Sequence, residues 1–296
     1  MNLSVAVIIA TKGRPHEVSR LLEELGRQTI APDIVVVSAC TPDDLEQPTA
    51  SHDNVEFLFG TPGLTAQRNR ALDRLGGKYD IVIFFDDDFI PSRFWIERVR
   101  LLFANQAEVG TVTGKVLADG VTTGALRWPE GKAIVDDVDQ SASKPTLEHH
   151  WTHLDTPYGC NMAFRASTID GLTFDERLVL YGWLEDLDFG LRAGARARMI
   201  RTNLLWGVHL GVKGGRDFGL RFGYSQVVNP WYLMKKKVIK PFDAYRRIIR
   251  GFAGNAFMVA TAKNSHFDRP GRLRGNIAGI KDILSGSWAP EKIAKL

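Results

Sequence analysis

The first half of the chain alternates short apolar runs with segments in which apolar residues recur every three or four positions. The apolar runs are Leu3–Ala10, Ile34–Ser38, Val55–Phe59 and Ile81–Phe85. The segments with helical spacing are Pro15–Gln28, Thr65–Leu75 and Arg93–Asn105. Short continuous apolar runs are typical of buried strands. Strands of this kind, separated by helices, predict a mostly parallel Rossmann-like sheet with helices on both faces.

The second half is less regular. Val116–Leu154 is polar and contains many Asp, Ser, Gly and Pro residues, which predicts a long connection that forms part of a binding mouth. Later strands are predicted at Asn161–Arg165 and Ala197–Arg201, and a helix over 242–262. We therefore predict an α/β catalytic domain over residues 1–215 and a largely helical extension over 216–296.

Charge is distributed unevenly along the chain. The net charge of +4 combines +10 from Lys235 to Leu296 with −6 from the remainder. A basic C-terminal region suits nucleic acid, an anionic membrane surface or a solvated helical face. Regularly interleaved aromatics, which a single-strand platform needs, are missing, so we expect no nucleic-acid partner. The helix over 242–262 combines a basic edge with an apolar stripe. That stripe serves either a peripheral membrane contact or packing on the catalytic domain.

Three features of the sequence predict the cellular compartment of the protein. No run of about 18 apolar residues occurs, so we expect no transmembrane helix. The first residues lead straight into an apolar run without a cationic region, unlike a signal peptide. Cys40 and Cys160 are far apart, which is typical of a disulfide-free cytosolic protein. We predict a cytoplasmic enzyme, peripheral on the inner membrane face if the basic region binds lipid.

Three consecutive carboxylates, Asp86, Asp87 and Asp88, follow the strand Ile81–Phe85. Ligands of open α/β sheets bind at the carboxyl ends of the strands. Adjacent carboxylates repel one another unless a cation neutralises them, and Mn²⁺ or Mg²⁺ prefers carboxylate oxygens. The triplet predicts a metal site, although a solvated acidic turn has the same sequence.

A second acidic cluster, Glu185, Asp186 and Asp188, follows Trp183 and begins a helical segment. One carboxylate would suffice to cap a helix. Three of them beside an indole face on which a sugar can stack predict a second role. Two separated clusters suit a division of labour, in which one binds a metal-diphosphate and the other removes a proton from a nucleophile.

These features occur in an order that resembles the family 2 glycosyltransferases of the GT-A fold. The similar segments are Ala10–Pro15, Gly63–Asn69, the acidic triplet, Gly159–Arg165, the second acidic cluster and Val208–His209. Each segment alone has low specificity, but together they span residues 3–210 in the family's order. The resemblance implies an inverting transferase that uses a nucleotide-diphospho-sugar.

The resemblance also implies roles for individual residues. Asp86 and Asp88 correspond to the outer members of the family's DxD motif, with Asp88 on the metal and Asp86 nearer the ribose; Asp87 lies in the same nucleotide-binding segment. His209 resembles a histidine that completes the metal shell. Asp186 resembles the catalytic base, with Glu185 beside it. The resemblance places Thr11, Arg14 and Arg68 at the nucleotide, and Trp183 and Asn161 at the acceptor.

One position departs from the family pattern. The family usually has an aspartate after the second strand that reads the base of the donor, where this chain has Ser38. A serine cannot act as a charged acceptor. Asp43 or Asp44 could replace it, although both are well placed to cap the following turn.

The predicted function is transfer of a sugar from a nucleotide-diphospho-sugar to a glycan or lipid-linked acceptor, in cell-surface polysaccharide or glycoconjugate synthesis. The predicted cofactor is Mn²⁺ or Mg²⁺. One alternative is a sugar-nucleotide pyrophosphorylase, which the single glycine in Thr11–Pro15 disfavours. Another is a non-catalytic glycan- or membrane-binding protein of the same fold. The sequence does not identify the oligomeric state, the donor sugar or the base of the donor nucleotide.

Overall fold

The computed structural model describes residues 3–46, 53–142, 151–154, 156–212, 219–261 and 267–296. Contacts divide the chain into two compact units. The first unit comprises Met1–Pro62, Ala66–Phe174 and Phe189–Gly214. The second comprises Gly63–Thr65, Asp175–Asp188 and Gly215–Leu296. The proposed boundary of the catalytic domain at residue 215 stays a prediction.

Among the described residues of the first unit, nine strands form one sheet. In chain order they are β1 Val5–Ala10, β2 Ile34–Ala39, β3 Val55–Phe59, β4 Ile81–Asp86, β5 Phe89–Pro91, β6 Val109–Asp119, β7 Trp151–His153, β8 Asn161–Arg165 and β9 Arg198–His209. The sheet order is β3-β2-β1-β4-β8-β6-β9-β5, and β7 pairs with β9 outside this path. The strands β3, β2, β1 and β4 are parallel, and β8 is antiparallel to both of its neighbours. The predicted α/β class is confirmed.

The helices are, in chain order, α1 Pro15–Gly26, α2 Leu64–Leu75, α3 Trp95–Asn105, α4 Gly120–Thr123, α5 Trp128–Ser141, α6 Ala166–Ile169, α7 Glu185–Gly194, α8 Gly219–Lys235, α9 Pro241–Ala260 and α10 Arg269–Leu284. Two 3-10 turns lie at Pro42–Asp44 and Pro290–Lys295. Pro15 and Pro241 each occupy the first turn of their helix, where a missing N–H costs no hydrogen bond.

Two clusters of buried apolar side chains cover the two faces of the sheet. Alternate residues of β1 point to opposite faces: Val7 and Ile9 join one cluster, and Ala6 and Ile8 the other. Phe84 packs edge-on against Phe164, Phe174 and Phe189 in the second cluster. This burial on both faces explains the continuous apolar runs of the central strands.

The second unit contains α8, α9 and α10. Gly223 and Gly275 lie where α8 and α10 approach closely, because a Cβ at Gly223 would fall 2.0 Å from the carbonyl oxygen of Arg272. The buried amide of Asn255 in α9 donates to Gln226 in α8 and to Asn276 in α10, both at 2.8 Å. The three helices are therefore tied together by backbone proximity and by a buried amide network.

The polar stretch Val116–Leu154 was the least accurate part of the sequence prediction. It contains the end of β6, the fourteen-residue helix α5 and the strand β7, while residues 143–150 lie outside the described residues. The strand predicted at Ala197–Arg201 is twelve residues long and ends at His209. The helix predicted from Arg93 begins at Trp95, after the strand β5 and a short turn. Across the described ranges, no helix has both the length and the apolarity required to cross a bilayer.

Candidate active site

The acidic triplet begins at the carboxyl end of β4. Parallel register places Asp86 opposite Ala10, the last residue of β1. The antiparallel strand β5 pairs Phe89 with His209, which ends β9. Strand register therefore brings three separate stretches of sequence to one edge of the sheet, where ligands of α/β folds bind.

The middle carboxylate of the triplet is bound by the loop after β1. Thr11 Oγ1 donates to Asp87 Oδ2 at 2.8 Å, and Arg14 Nη1 donates to Oδ1 at 2.7 Å. Burial raises the pKa of Asp87 to about 6, although Arg14 and Thr11 oppose this shift. Asp87 therefore holds the β1 loop against the triplet, and both of its oxygens are occupied by protein donors.

Arg14 is the cation that balances this acidic edge. Its Nη1 lies 3.6 Å from Asp88 Oδ2, and its Nη2 donates to the carbonyl oxygen of Val212 at 2.8 Å. Burial alone would lower the pKa of Arg14, but Asp87 and Asp88 outweigh it and raise the pKa above its ordinary value. The guanidinium stays charged and offsets part of the repulsion within the triplet.

The two outer carboxylates converge on His209. One ligand atom from each of Asp86, Asp88 and His209 can be chosen so that all three lie within 4.8 Å of one another. His209 Nε2 is 3.3 Å from Asp88 Oδ1 and 3.8 Å from Asp86 Oδ2. Two carboxylate oxygens and one imidazole nitrogen fit a divalent ion such as Mn²⁺. These three residues could therefore hold a metal.

A further pair of residues lies behind the histidine. Asp119 is the register partner of His209 across β6 and β9, and its Oδ1 lies 3.2 Å from His209 Nδ1. Tyr158 donates its hydroxyl hydrogen to Asp119 Oδ2 at 2.9 Å. A carboxylate on the far nitrogen of a ligating histidine fixes its tautomer and ring orientation. Sequence reasoning missed both residues, because β6 was not predicted and only strand register pairs Asp119 with His209.

The surroundings of His209 favour its charged form in the absence of metal. Burial alone would lower its pKa, but interactions with Cys160, Asp119 and Asp88 raise the pKa well above the ordinary value. Two carboxylates thus lie on opposite sides of one buried imidazole. A divalent cation bound at this site would compete with that proton, because a histidine must lose it to coordinate a metal.

Arg68 occupies a buried position beside the triplet. It is 2% exposed, and its Nη2 lies 3.0 Å from both Asp86 Oδ1 and the carbonyl oxygen of Gly159. Its guanidinium stacks over the rings of Phe84 and Phe174 at 5.6 and 5.3 Å. The structure therefore places Arg68 in contact with Asp86. Its predicted contact with a nucleotide stays a prediction.

Two further sequence expectations concern buried groups. Asn161 is fully buried, and its Oδ1 accepts from the backbone N–H of Gly114 at 2.6 Å, which ties β8 to β6. Its predicted contact with an acceptor stays a prediction, and we give it no part in the site proposed below. Asp44 accepts from the backbone N–H of Gly13, Cys40 and Thr41, so it closes the local turn. Ser38 is also fully buried.

The second acidic cluster belongs to the second unit and follows a strained turn. Leu180 and Leu184 have φ values of 60° and 75°, in the left-handed region that L-residues with a Cβ rarely occupy. Gly182 between them has φ 67°. Strain of this kind costs about 1–3 kcal/mol per residue and persists where surrounding bonds impose it. Here Asn229 in α8 donates to the carbonyl oxygen of Trp183 at 2.8 Å.

Helix α7 begins with the two predicted catalytic carboxylates. Glu185 is 6% exposed and Asp186 is partly exposed. Arg247 of α9 lies close enough to Asp186 for their charges to interact; burial lowers the pKa of Arg247, and Asp243 and Asp186 oppose that shift. Helix N-termini favour negative charge, and Asp186 lies in the first turn of α7 with its side chain partly exposed.

Asp188, the third member of the cluster, is fully buried and bound to a lysine. Lys236 Nζ lies 2.7 Å from both Asp188 Oδ1 and Asp175 Oδ2. Tyr232 donates to the same oxygen of Asp175 at 2.6 Å. The cluster is thus divided, with Asp188 in a buried ion pair and Asp186 at the surface.

Trp183 is partly exposed and lies next to an aromatic ring of the same unit. Its ring centroid is 5.6 Å from that of Phe222 with an interplanar angle of 62°. The guanidinium carbon of Arg272 lies over the ring of Phe222, 4.4 Å from the ring centroid. The predicted stacking of an acceptor sugar on Trp183 stays a prediction.

A comparison with known protein families decides the classification. Residues 6–150 match the family described as Glycosyl transferase family 2. This part of the chain belongs to that family. The match includes β1, the acidic triplet and Asp119, and it confirms the resemblance drawn from the motifs. It supports a nucleotide-sugar glycosyltransferase. The search of curated protein sequences found no match to this chain.

Solved structures show the same fold. A mannosyltransferase from Pyrobaculum calidifontis in complex with GDP-Man and Mn²⁺ is 17% identical, with a TM-score of 0.56 over 97% of this chain and 89% of that one. TarS 1–349 of S. aureus in complex with UDP is 14% identical, with a TM-score of 0.54 over 96% and 83%. GalNAc-T7 with UDP, GalNAc and Mn²⁺ is 11% identical, with a TM-score of 0.52 over 96% and 57%. At these identities the likeness shows the GT-A fold alone.

Proposed function

We propose that this protein is an inverting, metal-dependent glycosyltransferase that moves a sugar from a nucleotide-diphospho-sugar to an acceptor hydroxyl. The observation that carries the proposal is the convergence of Asp86, Asp88 and His209 at the carboxyl end of β4. The residues matched by the family, and the nucleotide and Mn²⁺ in similar folds, support it.

Asp86, Asp88 and His209 would hold Mn²⁺ or Mg²⁺. When bound, the ion would supply positive charge to the diphosphate leaving group. Asp119 and Tyr158 keep His209 in the tautomer that directs Nε2 toward Asp88. Arg14 stays positively charged beside Asp87 and Asp88. These residues would give this edge of the sheet the positive charge that binding of a diphosphate requires.

Asp186 is the proposed base. Its carboxylate would accept the proton of an acceptor hydroxyl as that oxygen bonds to the anomeric carbon and the nucleoside diphosphate leaves with the bonding electrons. Attack from the side opposite the leaving group inverts the configuration. Much of the rate gain from such a base comes from its position, which the strained turn at Leu180–Leu184 and the helix α7 define.

The acceptor we propose is a hydroxyl of a glycan or of a lipid-linked glycan, in polysaccharide or glycoconjugate synthesis. Trp183, exposed in part beside the base, supports a sugar ring as the acceptor. Ser38 and Asp44 are both buried, so neither residue indicates which base the donor nucleotide carries.

Nucleotide binding with and without Mn²⁺ tests the metal role directly. UDP or GDP with Mn²⁺ should stabilise the parent protein by about 2.7 kcal/mol at a hundred times Kd, read as a rise in Tm. Asp88→Asn should abolish most of that rise, since Asp88 is a proposed ligand. Asp73→Asn, which changes an exposed carboxylate of α2, should behave as the parent.

An equal Mn²⁺-dependent rise in Asp88→Asn and in the parent would refute the metal role. An assay with a panel of nucleotide-sugars then identifies the donor through release of the nucleoside diphosphate. Release of pyrophosphate from a nucleoside triphosphate and a sugar phosphate would instead indicate a pyrophosphorylase and would refute the transferase proposal.

A further inference from the structure

Helix α9 presents an apolar stripe to solvent. Phe242, Ile249 and Phe257 are 74%, 63% and 60% exposed. Their spacing of seven and eight residues places them on one side of a helix that has 3.6 residues per turn. Ala253 and Ala260 are exposed on the same side. An apolar line therefore runs along most of the twenty-residue helix, with the exposed Arg246 beside it.

The opposite side of α9 is fixed within the second unit. Ala244 and Asn255 are buried, and Asn255 makes the amide bonds to α8 and α10 described above. Arg247 is partly buried, and its charge interacts with that of Asp186. These contacts determine the rotation of α9 about its axis, so the apolar stripe faces outward as a consequence of packing.

Basic residues flank the stripe. Lys235, Lys237 and Lys240 are exposed just before the first turn of α9, and Arg246 and Arg250 are exposed beside Ile249. The carboxylate nearest to them, Asp243, lies 3.6 Å from Arg246 and offsets one of these charges. The face thus combines large apolar side chains with an excess of positive charge.

We propose that α9 lies flat in the interface of a membrane that contains anionic lipids. In this position Phe242, Ile249 and Phe257 enter the boundary between headgroups and acyl chains, while the lysines and arginines bind lipid phosphates. Charge complementarity selects this partner, because an apolar stripe edged by cations matches a negatively charged, amphipathic surface. The contact is independent of the proposed transferase activity, and each can fail without the other.

Co-sedimentation with vesicles tests the proposal. The parent should pellet with vesicles of phosphatidylcholine and phosphatidylglycerol at low salt, and remain in solution with phosphatidylcholine alone. High salt should release most of the bound protein, because lipid and protein charges are then screened. A parent that stays in solution with anionic vesicles at low salt overturns the proposal.

Two sets of substitutions separate the apolar and electrostatic contributions. Phe242→Ser, Ile249→Ser and Phe257→Ser together should lower the partition coefficient by about a hundredfold, because the inserted groups are lost. Lys235→Gln, Lys237→Gln and Lys240→Gln together should lower it by about a hundredfold, since each cation contributes about fivefold. All six side chains are exposed, so the melting temperatures should stay close to that of the parent.

Matched controls come from the first unit. Ile30→Ser with Phe59→Ser removes apolar side chains that are 37% and 46% exposed. Lys78→Gln with Lys115→Gln and Arg201→Gln removes exposed charges. Vesicle binding of both control sets should equal that of the parent. A loss as large as that of the α9 sets would show that any exposed group suffices, and would overturn the assignment to α9.

Sedimentation equilibrium distinguishes a second occupant of the stripe. If the parent is a dimer, the serine set is a monomer and both bind anionic vesicles equally, the stripe is an interface between two copies of the chain. That result would overturn the membrane proposal. A parent whose association state is unchanged by the serine set, together with lost vesicle binding, would support it.

Discussion

The two acidic clusters look alike in sequence but are neutralised in different ways. In the first cluster, Arg14 and Thr11 bind the middle carboxylate, Asp87, and the outer two converge with His209. In the second cluster, Lys236 binds the last carboxylate, Asp188, and Asp186 stays partly exposed. In each cluster one carboxylate forms a close ion pair, Asp87 with Arg14 and Asp188 with Lys236. The carboxylates proposed for chemistry are their neighbours.

The largest effect is expected from Asp186→Asn, which tests the proposed catalytic base in the second cluster. Asparagine keeps the size of the side chain but cannot accept the proton. We expect kcat to fall by about two to four decades, the scale of lost general-base catalysis, with donor binding unchanged. Steady-state rates and nucleotide affinity measure the two effects separately.

Asp73→Asn, on an exposed face of α2, is the control and should keep the parental rate. If Asp186→Asn turned over at the parental rate, another residue would have to be the base. Glu185 would be next, because the buried ion pair occupies Asp188.

Lys236→Met tests the buried ion pair of the same cluster, between Lys236 and Asp188. Methionine keeps a similar length of apolar side chain, but Asp188, which is fully buried, loses its ammonium partner. We expect the free energy of unfolding to fall by about 3 kcal/mol, the lower end of the cost of breaking a buried pair. Denaturant titration measures it. Lys237→Met changes the exposed neighbour and should alter stability little; equal losses in the two variants would show that the ion pair contributes nothing.

Asp119→Asn tests the support of the first cluster. Asparagine still accepts a hydrogen bond from Val121 N–H but no longer presents a negative charge to His209 Nδ1. We expect Mn²⁺ affinity to weaken by about 10–100-fold, as for other residues that orient a metal-bound histidine. Titration calorimetry with Mn²⁺ and nucleotide measures this without turnover. Tyr158→Phe removes the bond to Asp119 and the 3.3 Å contact of the hydroxyl with His209 Nδ1, leaves the charge of Asp119 in place, and should have the smaller effect. Unchanged affinity in Asp119→Asn would exclude the role.

The smallest effect concerns acid stability. Burial alone would raise the pKa of Asp175, but its bonds from Lys236 and Tyr232 lower the pKa below the ordinary value. The stability from these bonds is therefore present above the unfolded-state pKa of about 3.9 and is lost as pH falls through the folded value. The Tm difference between the parent and Asp175→Asn should shrink from about pH 5 to about pH 3. A constant difference over this range would assign the effect to packing.

The central strands and the acidic edge of the sheet were predictable from sequence, because β1 and β4 are apolar on both faces and β4 ends directly in the acidic triplet. The rest of the site depends on long-range register. Asp119 reaches His209 only through the pairing of β6 with β9. The strand β6 contains Thr111, Thr113 and Gly114 among its buried residues, so no apolar run marked it.

The division within each acidic cluster was not predictable for a similar reason. Nothing local to Asp87 or Asp188 shows that Arg14 and Lys236 bind them, because the partners lie 73 and 48 residues away in sequence. Helix periodicity showed that α9 is amphipathic. The direction of its apolar face became clear only from the buried contacts of Asn255.

The bond between Lys236 and Asp188 also constrains the order of events during synthesis. At about 5–20 residues per second, a ribosome needs about 2–10 seconds to extend the chain by the 48 residues between them. Asn229, which holds Trp183, is likewise made after the turn that it stabilises. The segment that carries the proposed base thus waits for α8 before it can adopt its final conformation. The nascent chain contains the three proposed metal ligands once His209 is made, and the proposed base gains its support only after Lys236.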